Sequence, residues 1–146
     1  MVFSSVYLKA LVRIGNELGV EVTATKIQKI FFLLQEEGGK DVGLKFEPYI
    51  FGPYSKELDE VLDSLVDQGV IEEKAKPIKD VLTGFIIGYK RSYILKDDRD
   101  SHVEAEVEKF FEKWVVKDRK EILNYVYRKY PQWTRYSVIR DKVLRM

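Results

Sequence analysis

Cysteine is absent from the 146 residues, and histidine occurs once, at His102. The first absence excludes disulfides, thiolate metal sites, iron–sulfur clusters and cysteine nucleophiles. The second leaves most zinc and Ser–His chemistry without ligands or a base. Long apolar runs are also missing: the longest, Ile30-Phe31-Phe32-Leu33-Leu34, is far short of the roughly 20 residues that span a bilayer. Nor is there a surplus of one charge. Twenty-five Lys+Arg face 24 Asp+Glu for a net of +1, so no whole-molecule field draws the chain to nucleic acid or membrane. Asparagine and glutamine together number six, a scarcity that, with charged residues at 34%, matches thermophile composition. The N-terminus shows no basic segment followed by an apolar stretch, and the expected setting is cytoplasmic, with no membrane partner.

What is present is enough for one core. With 45% hydrophobic residues and a length typical of one domain, residues 1–146 are expected to form a single unit. It would comprise a helical core over 4–69, a β-hairpin wing over 70–96 and C-terminal helices over 100–145. Tyr7, Leu11, Ile14 and Leu18 recur at helical spacing behind the cap candidates Ser4 and Ser5. The interior Gly15 suggests a close neighbour. A helix from about Thr25 carries Ile27, Ile30, Phe31 and Leu34, with Phe32 and Leu33 widening its apolar face, as befits the central helix of a core. Residues 44–51 contain Pro48 and read as an edge strand or extended loop. Ser55 caps a third helix running to Gln68, with Leu58, Val61, Leu62 and Leu65 inward and Gly69 as its stop. Two extended segments follow, from Val70 and over Gly84–Leu95, joined by a polar loop Lys74–Thr83 that includes Pro77. Asp100 or Ser101 is expected to cap a fourth helix bearing Val107, Phe111 and Trp114, and Asp118 a fifth that halts at Pro131. A short helix over Ser137–Leu144 completes the expectation: an α+β fold, mainly α, of five to six helices with a winged-helix-like hairpin.

Candidate chemistry is sparse. His102 and Glu106 stand at i,i+4, a metal-ligand spacing, but no second histidine or thiolate is near, and His102 is expected on the surface. Asp97, Asp98 and Asp100 suit a helix N-terminus better than a metal, and Glu72 and Lys74 reproduce a Glu-x-Lys spacing by ordinary strand charge. No glycine-rich phosphate loop exists. No enzyme activity, metal or cofactor is expected.

Charge is segregated along the chain. Residues 55–68 hold Lys56 against Glu57, Asp59, Glu60, Asp63 and Asp67, net −4. That is the wrong sign for a helix entering a groove lined by phosphates. From Lys117 to Met146 nine cations face three acids, interleaved with Tyr125, Tyr127, Tyr130, Trp133 and Tyr136. A weaker cluster in the wing comprises Lys74, Lys76, Lys79, Lys90 and Arg91. Aromatic–cationic mixtures serve core, protein interface or nucleic acid alike. The acidic helix and the basic region could meet within one molecule or across a homodimer, and both arrangements stay open.

Thr25-Lys26-Ile27-Gln28-Lys29-Ile30-Phe31-Phe32-Leu33 and Phe51-Gly52-Pro53-Tyr54-Ser55-Lys56-Glu57-Leu58 together resemble the Lys-x-Gln-Lys helix and Tyr-Gly-Pro turn of SocA-like (Panacea) antitoxin domains. The nearer likeness is to YwgA-like proteins of bacteria and archaea. Leu65–Ile71 and Tyr130-Pro131 with Ser137 extend the similarity, while Phe51 replaces a common tyrosine and Lys96 stands where the family has threonine. The resemblance implies an α-helical domain with a hairpin that neutralises a toxin or adapts a partner for proteolysis, with no catalytic residues. Its motif residues are Lys26, Gln28, Lys29, Gly52, Pro53, Tyr54 and Ser55, for which a structural role is expected: Gln28 satisfying the Gly52-Pro53 turn and Ser55 capping. The expected function is a non-enzymatic regulatory module binding a protein partner through Arg128, Lys129, Trp133, Arg135 and Tyr136. The alternative is a winged-helix-type nucleic-acid-binding transcriptional regulator that uses the wing and the C-terminal cations.

Overall fold

The structure, a computed structural model, describes residues 3–50 and 52–135. Five helices, α1 (Ser5–Glu17), α2 (Ala24–Glu36), α3 (Lys56–Asp67), α4 (Ala105–Val115) and α5 (Arg119–Lys129), are joined by two antiparallel hairpins. The first hairpin is β1 (Glu47–Tyr49) with β2 (Gly52–Tyr54); the second is β3 (Ile71–Lys79) with β4 (Ile86–Leu95). A single 3-10 turn, Pro131–Trp133, follows α5. The fold is α+β and mainly α. The helix expected over Ser137–Leu144 lies outside the described residues.

Local chemistry explains the helix starts. Ser4, Thr23, Ser55 and Asp118 each accept a backbone N–H of the first turn, satisfying donors that the helix leaves without a partner. Every residue from Lys26 to Leu34 on α2 is buried, which makes it the axis of the core. Phe31 meets Phe3 and Phe111 edge-on, and Phe32 meets Phe46, Tyr130 and Trp133. One side of α2 thus holds α4 and the chain before α1, and the other holds α5 and the chain that follows it. Leu18, expected in the α1 stripe, is instead about half exposed at the helix end.

Two expectations are corrected. Lys74–Lys79 do not form a loop: they belong to β3, and Pro77 pairs with Tyr89. In a two-stranded ribbon both strands are edges, so a proline can turn its donor-free side outward. The fourth helix starts at Ala105, behind Glu104, and not at Asp100 or Ser101. Asp100 adopts a positive φ of 54°, and the buried Ser101 donates its hydroxyl to the Asp98 carbonyl. Asp97 holds Arg99 instead of a helix end. The 97–104 segment is anchored from α1: Lys9 Nζ and Arg13 Nε donate to the carbonyls of Arg99 and Ser101, both at 3.0 Å. The Tyr7 hydroxyl and Lys40 converge on the Glu104 carboxylate.

The wing is anchored at its base, and further out Lys90 on β4 pairs with Glu21 at 2.6 Å. Asn16 bridges Tyr93 and Leu95 through both side-chain atoms, the Tyr93 amide donates to Val22, and Tyr93 is buried. Beyond Glu73, β3 is exposed to its end.

Gly15 has the close neighbours its position suggested. A Cβ there would overlap the Val22 side chain and lie 3.1 Å from Val115. Gly15→Ala is therefore expected to lower stability by about 1–3 kcal/mol through overpacking, against the gain of roughly 1 kcal/mol that the same change brings to an unhindered helix. Denaturant melts of the two proteins give the sign, and a more stable alanine variant would contradict the packing.

Candidate functional site

All the motif residues but Lys26 converge on one place, where α2 meets the chain between β2 and α3. Lys26, Gln28 and Lys29 are all buried, at 7%, 6% and 3% exposure, and each satisfies backbone groups. Gln28 closes a two-bond ring with Ser55: its Nε2 donates to the Ser55 carbonyl at 3.0 Å and its Oε1 accepts the Ser55 amide at 2.8 Å. Lys29 Nζ donates to the Pro53 carbonyl at 2.9 Å, and Lys26 Nζ donates to the carbonyls of Glu21 and Val115. The hydrogen bonds depart from the expected ones at one point. Gln28 reaches past the Gly52-Pro53 turn to Ser55, and Lys29 takes the turn carbonyl in its place.

Gly52 sits at φ +91°, where a Cβ would lie 3.0 Å from the Tyr127 ring. Two reasons for glycine coincide here, backbone conformation and space. Tyr54 stacks on Tyr49 with ring centroids 5.1 Å apart and donates to Asp59. Burial, reinforced by the Asp59 carboxylate, pushes its phenol up to about 12.

Lys29 has no counter-ion close enough to form an ion pair among the described residues. Burial, aided by the positive charge of Arg119, lowers its pKa to about 7. Above pH 7 the folded amine loses its proton while the unfolded one keeps it until about pH 10.4. The unfolded state then binds more protons, so stability rises with pH, at a slope approaching about 1.4 kcal/mol per pH unit. Chemical unfolding between pH 6.5 and 9.5 is expected to show this rise, and Lys29→Met is expected to remove most of it. An identical profile in the variant would contradict a protonation change at Lys29.

A second place gathers the basic and aromatic side chains. Between the end of α4 and the exposed side of α5 lies an open groove of about 820 Å³. Among its described lining residues five are cations, Lys113, Lys117, Lys120, Arg128 and Lys129, and one is acidic, Glu121. Trp114 and Tyr125 also line it, their ring centroids 4.9 Å apart. Lys113 and Lys117 stand over the Trp114 ring at 5.5 and 5.6 Å. The indole Nε1 of Trp114 is buried and has no hydrogen-bond acceptor among the described residues.

Of the residues expected to contact a partner, Arg128 and Lys129 are on this groove. Lys129 is also tied into the body: Nζ lies 2.8 Å from Glu37 and 3.0 Å from the Tyr125 hydroxyl. The Glu37 hydrogen bond, with that of Tyr125, holds the Lys129 pKa above its ordinary value. Burial opposes ionisation of Glu37, but hydrogen bonds from Lys129, Tyr130 and Tyr125 outweigh it and hold that carboxyl low. Trp133 is half-buried against Phe32, at 5.2 Å between centroids, and is not among the described groove-lining residues. Arg135 is exposed, and Tyr136 lies outside the described residues.

Lys113 lies outside the basic region read from Lys117 onward, and Lys117 and Lys120 were counted there without being named as contacts, although their spacing carries a signal. Lys113 and Lys117 are one turn apart and flank Trp114, while Lys120, Asn124 and Arg128 repeat at four-residue spacing. His102 is exposed, as expected. Glu72 pairs with Lys96 at 2.9 Å, so its relation to Lys74 is ordinary strand charge. No protein-family model matches the chain, and no curated protein matches it.

Proposed function

We propose that this protein is a non-enzymatic regulatory module that binds an acidic segment of a protein partner in the groove between α4 and α5. The observation that carries the reading is the charge of that groove, five cations to one acid, in a chain whose net charge is only +1. Lys113, Lys117 and Lys120 have no ion-pair partner among the described residues. Such cations attract an anionic segment and speed its encounter. The SocA-like resemblance supplies the class of partner, a toxin or a protein handed on for degradation.

A protein partner is favoured over single-stranded nucleic acid because the rings offer little to bases. Two lysines stand over Trp114, itself only 3% exposed, and Lys129 stands over Tyr125 at 5.3 Å. Stacking platforms need open ring faces. A duplex is disfavoured by α3, whose anionic residues repel phosphate.

The test is capture of partners from nuclease-treated host lysate with the wild-type chain and with a Lys113→Glu/Lys117→Glu/Lys120→Glu variant. The expected result is a protein retained after nuclease treatment and bound at least tenfold more weakly by the variant. Capture that vanishes with nuclease, or that is unchanged in the variant, contradicts the proposal.

A further inference from the structure

Most of the exposed large hydrophobic residues sit on one feature, the distal half of the β3–β4 hairpin. Val81 is 99% exposed, Leu82 94%, Phe85 73% and Ile87 67%. This knob has a defined shape. Asp80 Oδ1 accepts the amides of Leu82 and Thr83, Thr83 Oγ1 accepts that of Phe85, and the Asp80 amide returns to the Phe85 carbonyl at 2.8 Å. A turn held in this way presents its apolar side chains without first having to order them, which lowers the cost of docking. Around it the arm is cationic: residues 74–91 carry five Lys/Arg and one Asp. Lys74, Lys76 and Lys79 have no ion-pair partner among the described residues.

The same molecule carries the complementary surface. Tyr49 and Ile50, 53% and 45% exposed, lie at the turn of the β1–β2 hairpin, beside the start of α3. A recess of about 370 Å³ there is lined by the Tyr49–Tyr54 stack and by Glu47, Glu57 and Glu60, with two lysines. That volume is within the range of pockets that enclose small apolar groups. The recess adjoins α3, whose segment 55–68 is net −4. Crowding of negative charge is felt along that helix: burial and then the neighbouring Asp59 raise the Asp63 pKa. An apolar knob on a cationic arm and a tyrosine-lined recess rimmed by three acids and two lysines, beside the acidic α3, are thus two surfaces of one chain.

We propose that the hairpin arm of one copy docks its tip into the Tyr49–Tyr54 recess of a second copy, with Lys76 and Lys79 facing Glu57 and Glu60. A second copy is favoured over an anionic membrane, which would match the arm alone. The recess and the acids of its rim match the arm from the other side. If the contact is reciprocal it closes a dimer with two such joints; if not, it propagates along a chain of copies.

Sedimentation of the full chain across micromolar concentrations, at 50 and 500 mM salt, tests this. Self-association is expected, weaker at the higher salt. Phe85→Glu on the arm and Tyr49→Ala in the recess are each expected to raise the dissociation constant at least tenfold. Both residues are exposed, and far-UV circular dichroism checks that the variants stay folded. The decisive arm is charge exchange. Lys76→Glu/Lys79→Glu and Glu57→Lys/Glu60→Lys should each weaken association, and the chain carrying all four changes should recover it. A wild-type chain that stays monomeric at both salts, association that ignores these substitutions, or no recovery in the fourfold variant overturns the proposal. So does flotation of a monomeric chain with vesicles of phosphatidylserine and phosphatidylcholine, which would assign the arm to a lipid surface.

Discussion

Two hydrogen bonds between the Gln28 amide and the backbone of Ser55 are the constraint on which the rest of the structure depends. They lie in a dry place: Ser55 is completely buried and Gln28 nearly so. In such surroundings a backbone N–H or C=O left without a partner costs roughly 1–3 kcal/mol. The Ser55 carbonyl also accepts the Asp59 amide at 3.3 Å, the first bond of α3, but its N–H lies beyond the last β1–β2 pair. Gln28 supplies a donor and an acceptor at once, standing in for a strand neighbour. With the Ser55 backbone held, its hydroxyl is free to cap α3 at Leu58. Lys29 secures Pro53 by the same means one residue further along α2. The central helix therefore does two jobs, filling the core with Phe31 and Phe32 and completing the backbone bonding of the segment that crosses it.

That arrangement also sets out the surfaces. Because α2 and its clamp fix the start of α3, the acidic side chains of α3 project from one side of the molecule together with the Tyr49–Tyr54 stack. The opposite sign collects where α4 and α5 meet, behind the core ring Trp114. Glu37, at the end of α2, gathers Tyr125, Lys129 and Tyr130 and so pins the groove side of α5 to the core. Nearly neutral overall, the molecule carries its acidic and basic side chains on separate elements, α3 and the α4–α5 groove.

Much of the helical frame was legible in the residues because its signals are local. Ser4, Ser55 and Asp118 announce helix starts, Gly69 an end, and the breadth of the apolar face at Phe31 to Leu34 marks α2 as central. What escaped depends on contacts distant in sequence. The delayed start of α4 follows from Arg13, Lys9 and Tyr7 of α1 anchoring the 97–104 segment, contacts that span about ninety residues and have no local signature. The full length of the hairpin was hidden by Pro77, which reads as a loop residue until the ribbon is seen to have two edges. The groove was half visible: the basic and aromatic character of the C-terminal region was plain, but only the approach of α4 to α5 brings Lys113 and Lys117 beside Lys120. The packing of Trp133 against Phe32 likewise has no local signature, since the two residues are distant in sequence.

Amide hydrogen exchange at Ser55 tests the central claim most directly. A backbone group clamped by Gln28 in the core opens only when the whole domain unfolds. Its exchange free energy in the wild-type protein should therefore equal the global unfolding free energy, and in Gln28→Ala it should fall below the global value of that variant. Exchange of the wild-type Ser55 amide through a local opening several kcal/mol easier than global unfolding would show that the fold does not depend on the clamp.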